Sequence, residues 1–422
     1  MIKHLLKLIW NRKRTNFLIT LEIFISFLVL FVVILIGVFY AHNYRQPLGY
    51  NYENVWRVSV ESNNRSERRS ANVTTTAQEN PSSPTNESEA AKTVKLLMAA
   101  VKEFPEVESV ATGVVTPYGN GSMQSGIGDG EGSIRYGNNR VSDDYKQTLG
   151  LTITRGRWFS KEDDGQNYQP VVITEYLARE VFGDADPIGQ RLQRPGFQNS
   201  ASEEPEPRPT RIVGVITDFR KDGEYAKLEG FLFNRQEFDR EMDNPPGNLM
   251  IKVQSGVTAA FEEKLIKRLQ GIARDWSFEI EPVVAMRESA NQFRLAPLIA
   301  GALVAGFLMI MVALGLTGVL WQNVTQRTKE IGLRRAKGAT AARIHRQILA
   351  ELLIIATAGL AVGVAVVVQF PLLDIIGFIN GEVYSASILI TLAIIYALTL
   401  VCGLYPSWMA TRVQPAEALH YE

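Results

Sequence analysis

Four uncharged, apolar runs divide this chain. They are Ile23–Ala41 (continuing an apolar start at Phe17), Leu295–Gln326, Leu352–Leu373 and Val383–Thr411. A bilayer core about 30 Å thick needs roughly 20 apolar helical residues, so each run is long enough to span it. Four buried core helices are the alternative, and the charge that flanks every run argues against it. The first run follows a basic start, as a signal peptide does. It exceeds the usual apolar length, however, and its end, GVFYAHNYRQ, offers no small-x-small cleavage site. It reads as a retained anchor.

Between the first two runs the pattern changes. VWRVSV (Val55–Val60), VESVATGVV (Val107–Val115), PVVIT (Pro170–Thr174), RIVGVI (Arg211–Ile216) and LMIKV (Leu249–Val253) alternate or are rich in β-branched residues, which predicts strands. Ala90–Phe104, Glu175–Phe182 and Thr258–Asp275 predict helices. The order suggests sheets covered by helices. Three polar stretches, Ser62–Glu89, Gly119–Ser133 and Arg194–Pro209, read as solvated loops; the glycine-rich one could also contact a ligand. The fold class that follows is an α-helical membrane protein with four transmembrane helices plus a large mixed α/β domain inserted between helices 1 and 2. Its segments are an amphipathic interfacial helix at 1–16, helix 1 at 17–41, the outer domain at 42–290, a stalk and helix 2 at 291–324, a connector at 325–347, helix 3 at 348–373, a short loop at 374–385, helix 4 at 386–408 and a tail at 409–422.

Charge orients these spans. Lys3, Lys7, Arg12, Lys13 and Arg14 precede the first, and Arg327, Lys329, Arg334, Arg335, Lys337, Arg343 and Arg346 lie between the second and third. The link between the third and fourth has only Asp374 and Glu382. Basic residues stay cytoplasmic, so both termini and the connector are expected inside and 42–290 outside. At the start, Ile2, Leu5, Leu6, Ile9 and Trp10 share one helical face, as in a helix lying in the membrane interface; a plain basic cap on the first span is the alternative. The bilayer itself is thus a partner.

Composition narrows the chemistry. Lys plus Arg and Asp plus Glu are 44 each, the hydrophobic share is 46%, and the 422 residues include one cysteine, Cys402. No intramolecular disulfide can form, so the outer domain must stand on its own core. Four scattered histidines (His4, His42, His345, His420) give no metal-ligand spacing. No G-x-x-x-x-G-K-[ST] loop, G-x-G-x-x-G or G-x-S-x-G occurs, so the chain should not hydrolyse ATP, and a membrane-anchored enzyme finds no paired-carboxylate, triad or metal pattern. Nucleic acid is not an expected partner. Glu22 lies inside the first span, where a carboxylate is costly unless it snorkels or pairs; an ion pair with a neighbouring helix is the favoured reading, a direct functional role the other.

The connector has more positives than topology needs. RTKEIGLRRAK can form a short helix, with Gly338 placed to end it and Thr340 to cap the next. Ile331 and 333–336 offer a small apolar face for docking; a basic loop held by lipid head groups is the alternative.

Here the residues become specific. Glu330, Ile331, Gly332, Arg334, Arg335, Ala336, Gly338, Ala339, Ile344, Gln347 and Glu351 fit E-I-G-x-R-R-A-x-G-A followed by I-x-x-Q-x-x-x-E. This segment resembles the signature of FtsX-like ABC transporter permeases. Tyr405, Pro406, Ala410, Pro415, Glu417, Ala418 and Leu419 resemble that family's final segment, with His420 in place of the usual arginine. GRWFSKEDD, VVITEYLAREVFGDADPIGQRL and RIVGVITDFR resemble the periplasmic core domain of MacB-type permeases.

The resemblance implies a permease working as a homo- or heterodimer in a bacterial inner membrane. It makes 325–347 a coupling helix, with Thr328 and the matched residues from Glu330 to Ala339 engaging a separate cytoplasmic ABC ATPase, and Pro415, Glu417 and Leu419 in the cytoplasmic tail. No cofactor belongs to this chain; ATP and magnesium belong to the ATPase. Motion of the coupling helices would pass outward through stalk helices, the mechanotransmission scheme of MacB-like and LolCDE-like systems, so no charged pore is required. MacB itself carries its ATPase in the same chain, FtsX has a much smaller outer domain, and bacitracin-type permeases have more spans. The expected role is efflux or extraction of an antimicrobial, peptide, lipid or lipoprotein, with a periplasmic membrane-fusion protein as a further partner. The alternative is a signalling subunit controlling a periplasmic partner such as a cell-wall hydrolase.

Overall fold

The computed structural model describes residues 13–62, 84–128, 133–192, 208–236, 247–326, 328–373 and 379–411. They form two units, an α/β unit at Asn43–Gln292 and a helical unit from the flanking segments. The expected helix at 1–16 and the residues Pro415, Glu417 and Leu419 lie wholly or largely outside the described residues.

In the helical unit the four apolar runs become α1 (Lys13–Tyr44), α6 (Val283–Gln326), α8 (Ala341–Val367, with a further turn at Gln369–Leu372) and α9 (Gly381–Thr411), with a short α7 (Thr328–Ala336) between α6 and α8. All four long helices are long and apolar enough to cross a membrane. One face of each packs inward: Ile23, Phe27 and Phe31 of α1, Val312 and Leu316 of α6, Leu352, Ala356 and Leu360 of α8, and Val383 and Ile395 of α9 form a common core. The outward faces stay apolar, with Leu303, Phe307 and Leu314 on α6 and Leu389 and Val401 on α9 all exposed, as a lipid solvent allows.

Small residues set the closest approaches, because between helices in lipid the gain comes from packing rather than from expelling water. A Cβ at Gly359 of α8 would come within 2.9 Å of the Thr20 carbonyl, and one at Gly363 within 2.4 Å of the Phe27 ring. On α9, Ser387, Thr391, Thr399 and Ser407 are buried. Each returns its hydroxyl to the carbonyl four residues back, so the stripe is polar in composition yet internally satisfied. We expect Gly359→Val to lower the thermal stability of the purified protein by about 1–3 kcal/mol, the usual cost of overpacking. A thermal-shift measurement in detergent checks it, and an unchanged midpoint would refute the packing account.

The α/β unit is layered. A four-stranded antiparallel sheet has the order β10 (Trp276–Pro282), β1 (Val55–Ser62), β9 (Asn248–Val253), β2 (Val107–Thr112). A six-stranded mixed sheet runs β3 (Gln124–Ile127), β4 (Ile134–Val141), β8 (Phe231–Arg235), β6 (Gln169–Thr174), β7 (Thr210–Ile216), β5 (Ile153–Gly156). Period-two alternation assigns each strand's side chains to two faces. Trp56, Val58, Leu249 and Ile251 pack outward under α2 (Pro84–Lys102) and α5 (Ala259–Ile272). Val55, Ala111 and Met250 pack inward against Val172, Val213, Phe231 and Phe233 of the second sheet. Val171, Ile173, Ile212 and Leu232 face away, under α4 (Glu175–Phe182). The result is a helix–sheet–sheet–helix sandwich, in which a short α3 (Tyr145–Leu149) leads into β5.

Several expectations need correction. Gly119–Ser133 is not all solvated loop: β3 adds there to the edge of the second sheet, antiparallel to β4. Helix α2 begins at Pro84, inside the expected loop Ser62–Glu89. The strand expected at Val107–Val115 stops at Thr112, because Gly113 leaves it to bridge Val141. Most of Arg194–Pro209 lies outside the described residues. Strands β4, β5, β8 and β10 were not expected from the sequence.

Candidate functional site

The connector is built by a local stop signal. At the end of α7 the amide of Lys337 bonds to the carbonyl of Leu333 and the amide of Ala339 to that of Arg334, both at 3.0 Å. Gly338 between them has φ +90°, a left-handed conformation that glycine adopts without a Cβ penalty. Thr340 stands at the N-cap of α8 as expected, but its side chain makes no capping bond; its carbonyl accepts instead from Arg343 and Ile344.

The expected apolar face of α7 splits. Ile331 is buried with Val324 of α6 and Ile344 of α8, against the partly buried Ile348 and Met409. Gly332 is buried beside it. Leu333 is 47% exposed and Ala336 is exposed. Helix α7 is therefore pinned by one isoleucine, with its leucine left outward. Ala339 is half-buried, and Thr328, Glu330 and Arg335 lie on the helix backbone.

A polar relay adds a second tie. The Arg334 guanidinium donates to Gln347 Oε1 at 2.8 Å, and Gln347 Nε2 donates to Glu351 Oε1 at 3.3 Å. Gln347 and Glu351, known from the sequence only as motif positions one turn apart on α8, thus hold the arginine of α7. Lys337, Arg343 and Arg346 remain exposed. The segment presents cations and one leucine outward from a fixed base, a surface suited to an acidic or polar cleft.

Glu22 answers differently from expectation. Among the described residues no cation pairs with it; its carboxylate lies against Gly315 of α6, where a Cβ would come within 2.8 Å of Oε2. The glycine leaves the room the carboxylate occupies.

Charged networks in the α/β unit were not anticipated. Arg157 grips Asp163 with two hydrogen bonds of 2.7 and 2.6 Å. Buried Arg235 lies between Asp143 at 2.8 and 2.9 Å and Asp164 at 2.5 Å. Arg287 Nε bonds to Glu224 Oε1 at 2.5 Å. These pairs join residues up to 92 positions apart, beyond any local spacing rule. No cluster of three His, Cys, Asp or Glu suited to a metal occurs among the described residues.

Residues 17–268 match the MacB-like periplasmic core domain, and residues 302–415 the FtsX-like permease C-terminal region. The macrolide export ATP-binding/permease protein MacB of Bdellovibrio bacteriovorus is 27% identical over 312 residues, covering 69% of this chain and 46% of that protein. The uncharacterized ABC transporter permease YvrN of Bacillus subtilis is 25% identical over 299 residues, covering 67% and 69%. The chain thus spans less than half the length of that MacB relative. Among solved structures, the periplasmic region of MacB from Actinobacillus actinomycetemcomitans is similar with a TM-score of 0.37 and 16% identity, covering 57% of this chain and 94% of that one.

Proposed function

Because the chain belongs to the MacB-like periplasmic core domain family and carries an FtsX-like permease region, we propose that it is the permease subunit of an ABC transporter, driven by a separate ATPase. The reading rests on the connector. A short helix anchored by Ile331 and by the Arg334–Gln347–Glu351 relay stands between two spanning helices. A push on α7 is then carried by α6 and α8 rather than absorbed in a loose loop.

On this reading α7 and both termini are cytoplasmic, and the α/β unit lies outside an inner membrane. The permease works as a dimer; nucleotide and magnesium are held by the ATPase. Helix α6, Val283–Gln326, includes an apolar stretch long enough to cross a membrane, which suits it to carry movement along its length. The MacB relatives are named for macrolide export, which supports antimicrobials as candidate substrates beside peptides, lipids and lipoproteins. A membrane-fusion protein is the matching outer partner for export.

Orientation is the premise most directly tested. In a Cys402→Ser background, Lys337→Cys introduces a thiol at an exposed position of the connector. A membrane-impermeant maleimide should label it in opened vesicles and not in intact cells. Labelling in intact cells would place the connector outside and overturn the proposal.

A further inference from the structure

The end of the motif RIVGVITDFR leads into a loop, residues 217–226, that touches both the segment by which the chain enters the α/β unit and the segment by which it leaves. Arg220 is 4% exposed, and its Nη1 donates to three carbonyls, those of Asn43 at 3.4 Å, Glu224 at 3.3 Å and Ala226 at 3.1 Å. Its amide donates to Leu48 at 3.0 Å, and its carbonyl accepts from the Tyr50 hydroxyl at 3.2 Å. A Cβ on Gly49 would overlap the carbonyl of Asp218. The incoming chain is therefore held to the loop by side-chain and backbone bonds together.

The outgoing chain is held by the other side of the same loop. Glu224 is 5% exposed; Oε1 accepts from Arg287 at 2.5 Å and Oε2 from the Tyr118 hydroxyl at 3.2 Å. Arg287 lies at the start of α6, its guanidinium 4.8 Å from the centre of the Tyr52 ring. Val283 and Met286 of the same helix are buried with Tyr50, Tyr118 and Phe219. Tyr118 itself has φ +57°, a strained setting for a bulky residue that persists only where its surroundings fix it.

We infer that residues 217–226 are a joint that makes the incoming segment 43–52 and the outgoing start of α6 one rigid body with the two sheets, with Arg220 and Glu224 its positioning residues. The inference rests on the coupling role proposed above: a joint of this kind lets movement of α6 displace the α/β unit as a whole instead of bending at residue 283.

Hydrogen exchange on the full-length protein in nanodiscs tests it, using Glu224→Gln, Arg287→Gln, the double variant and Tyr118→Phe. Exchange at 283–292 should rise about tenfold in each charge variant, the effect of losing a charged hydrogen bond on local opening. The double variant should exchange no faster than either single one. Tyr118→Phe should give a smaller rise, while β6 and β7 stay unchanged in all four. Unchanged exchange at 283–292, a rise shared with β6 and β7, or additive single effects would each overturn the joint. With the ATPase bound, a non-hydrolysable ATP analogue should alter exchange in the sheets of the wild type but only in α6 of Glu224→Gln. Absence of any response in the wild type would count against the coupling role and leave the first result standing, so the two failures are separable.

Discussion

Reversing the charge at both Arg334 and Arg335 should weaken capture of the ATPase subunit roughly a hundredfold, the scale expected when charged groups at an interface are lost. Unfolding of the α/β unit should not move. Co-purification from membranes, with thermal unfolding in parallel, measures both. The two positions act by different routes. Arg334 is tied to Gln347 on α8, so Arg334→Glu also sets a carboxylate beside the Glu351 that Gln347 contacts. Gln347→Ala separates the routes, since it breaks the relay and keeps both positive charges. Weak capture in Gln347→Ala as well would assign the effect to the anchoring of α7. Full capture there, with loss in Arg335→Glu alone, would assign it to contact with the ATPase. Undiminished capture and activity in the double charge reversal would remove the connector from the coupling path.

The connector was largely legible in the sequence because its signals are local. A left-handed glycine after a helical run, basic residues between two apolar spans and a buried isoleucine all act within a few residues. The relay was not legible as a relay, because Arg334 and Gln347 are 13 residues apart across a turn whose geometry no spacing rule supplies. The same contrast runs through the α/β unit. PVVIT, EYLAREVF and RIVGVI announce β6, α4 and β7 by unbroken β-branched or amphipathic runs. IRYGNNRV does not announce β4, because its central asparagine is polar. Asn139 can be fully buried only because the backbone of Val115, 24 residues away, meets both ends of its amide. Strand β5 has three residues with partly or wholly exposed side chains, and it is a strand only by pairing with β7. Strand β10, WSFEIEP, did carry a readable signal, since its apolar residues alternate with polar ones. Glu22 is a different case: cost alone suggested a cationic partner, and among the described residues the carboxylate lies instead against a glycine on the facing helix.

Asp163→Ala should destabilise the α/β unit by about 3 kcal/mol, the low end of the cost of breaking a buried ion pair, because half-exposed Arg157 can turn to water once its partner is gone. For a unit of this size that is a fall of roughly 6–12 °C in the unfolding midpoint. The carboxylate is fully buried and closes the turn Lys161–Asp163: it accepts two bonds from Arg157 and one from the Ser160 amide at 3.0 Å. That turn carries the chain over β7, where Gly214 has no side chain because a Cβ would come within 2.1 Å of the Arg157 carbonyl. Burial alone would push the Asp163 carboxyl up; the bonds from Arg157 and Ser160 and the charges of Arg157 and Arg235 outweigh it and hold the group below its ordinary value of 3.8. A carboxyl depressed in the folded state stabilises above its unfolded pKa, and loses that contribution as pH falls through the folded pKa. The gap between wild type and Asp163→Ala should therefore be constant from neutral pH down to about 5 and close below 3.8. Asp218 is shifted the other way, raised chiefly by burial, so wild-type stability alone would mix two opposite slopes; the difference between the two proteins cancels Asp218 and isolates Asp163. Thermal unfolding of both proteins across pH 3–7 decides it, and a gap that widens on acidification would overturn the assignment of the charge to Asp163.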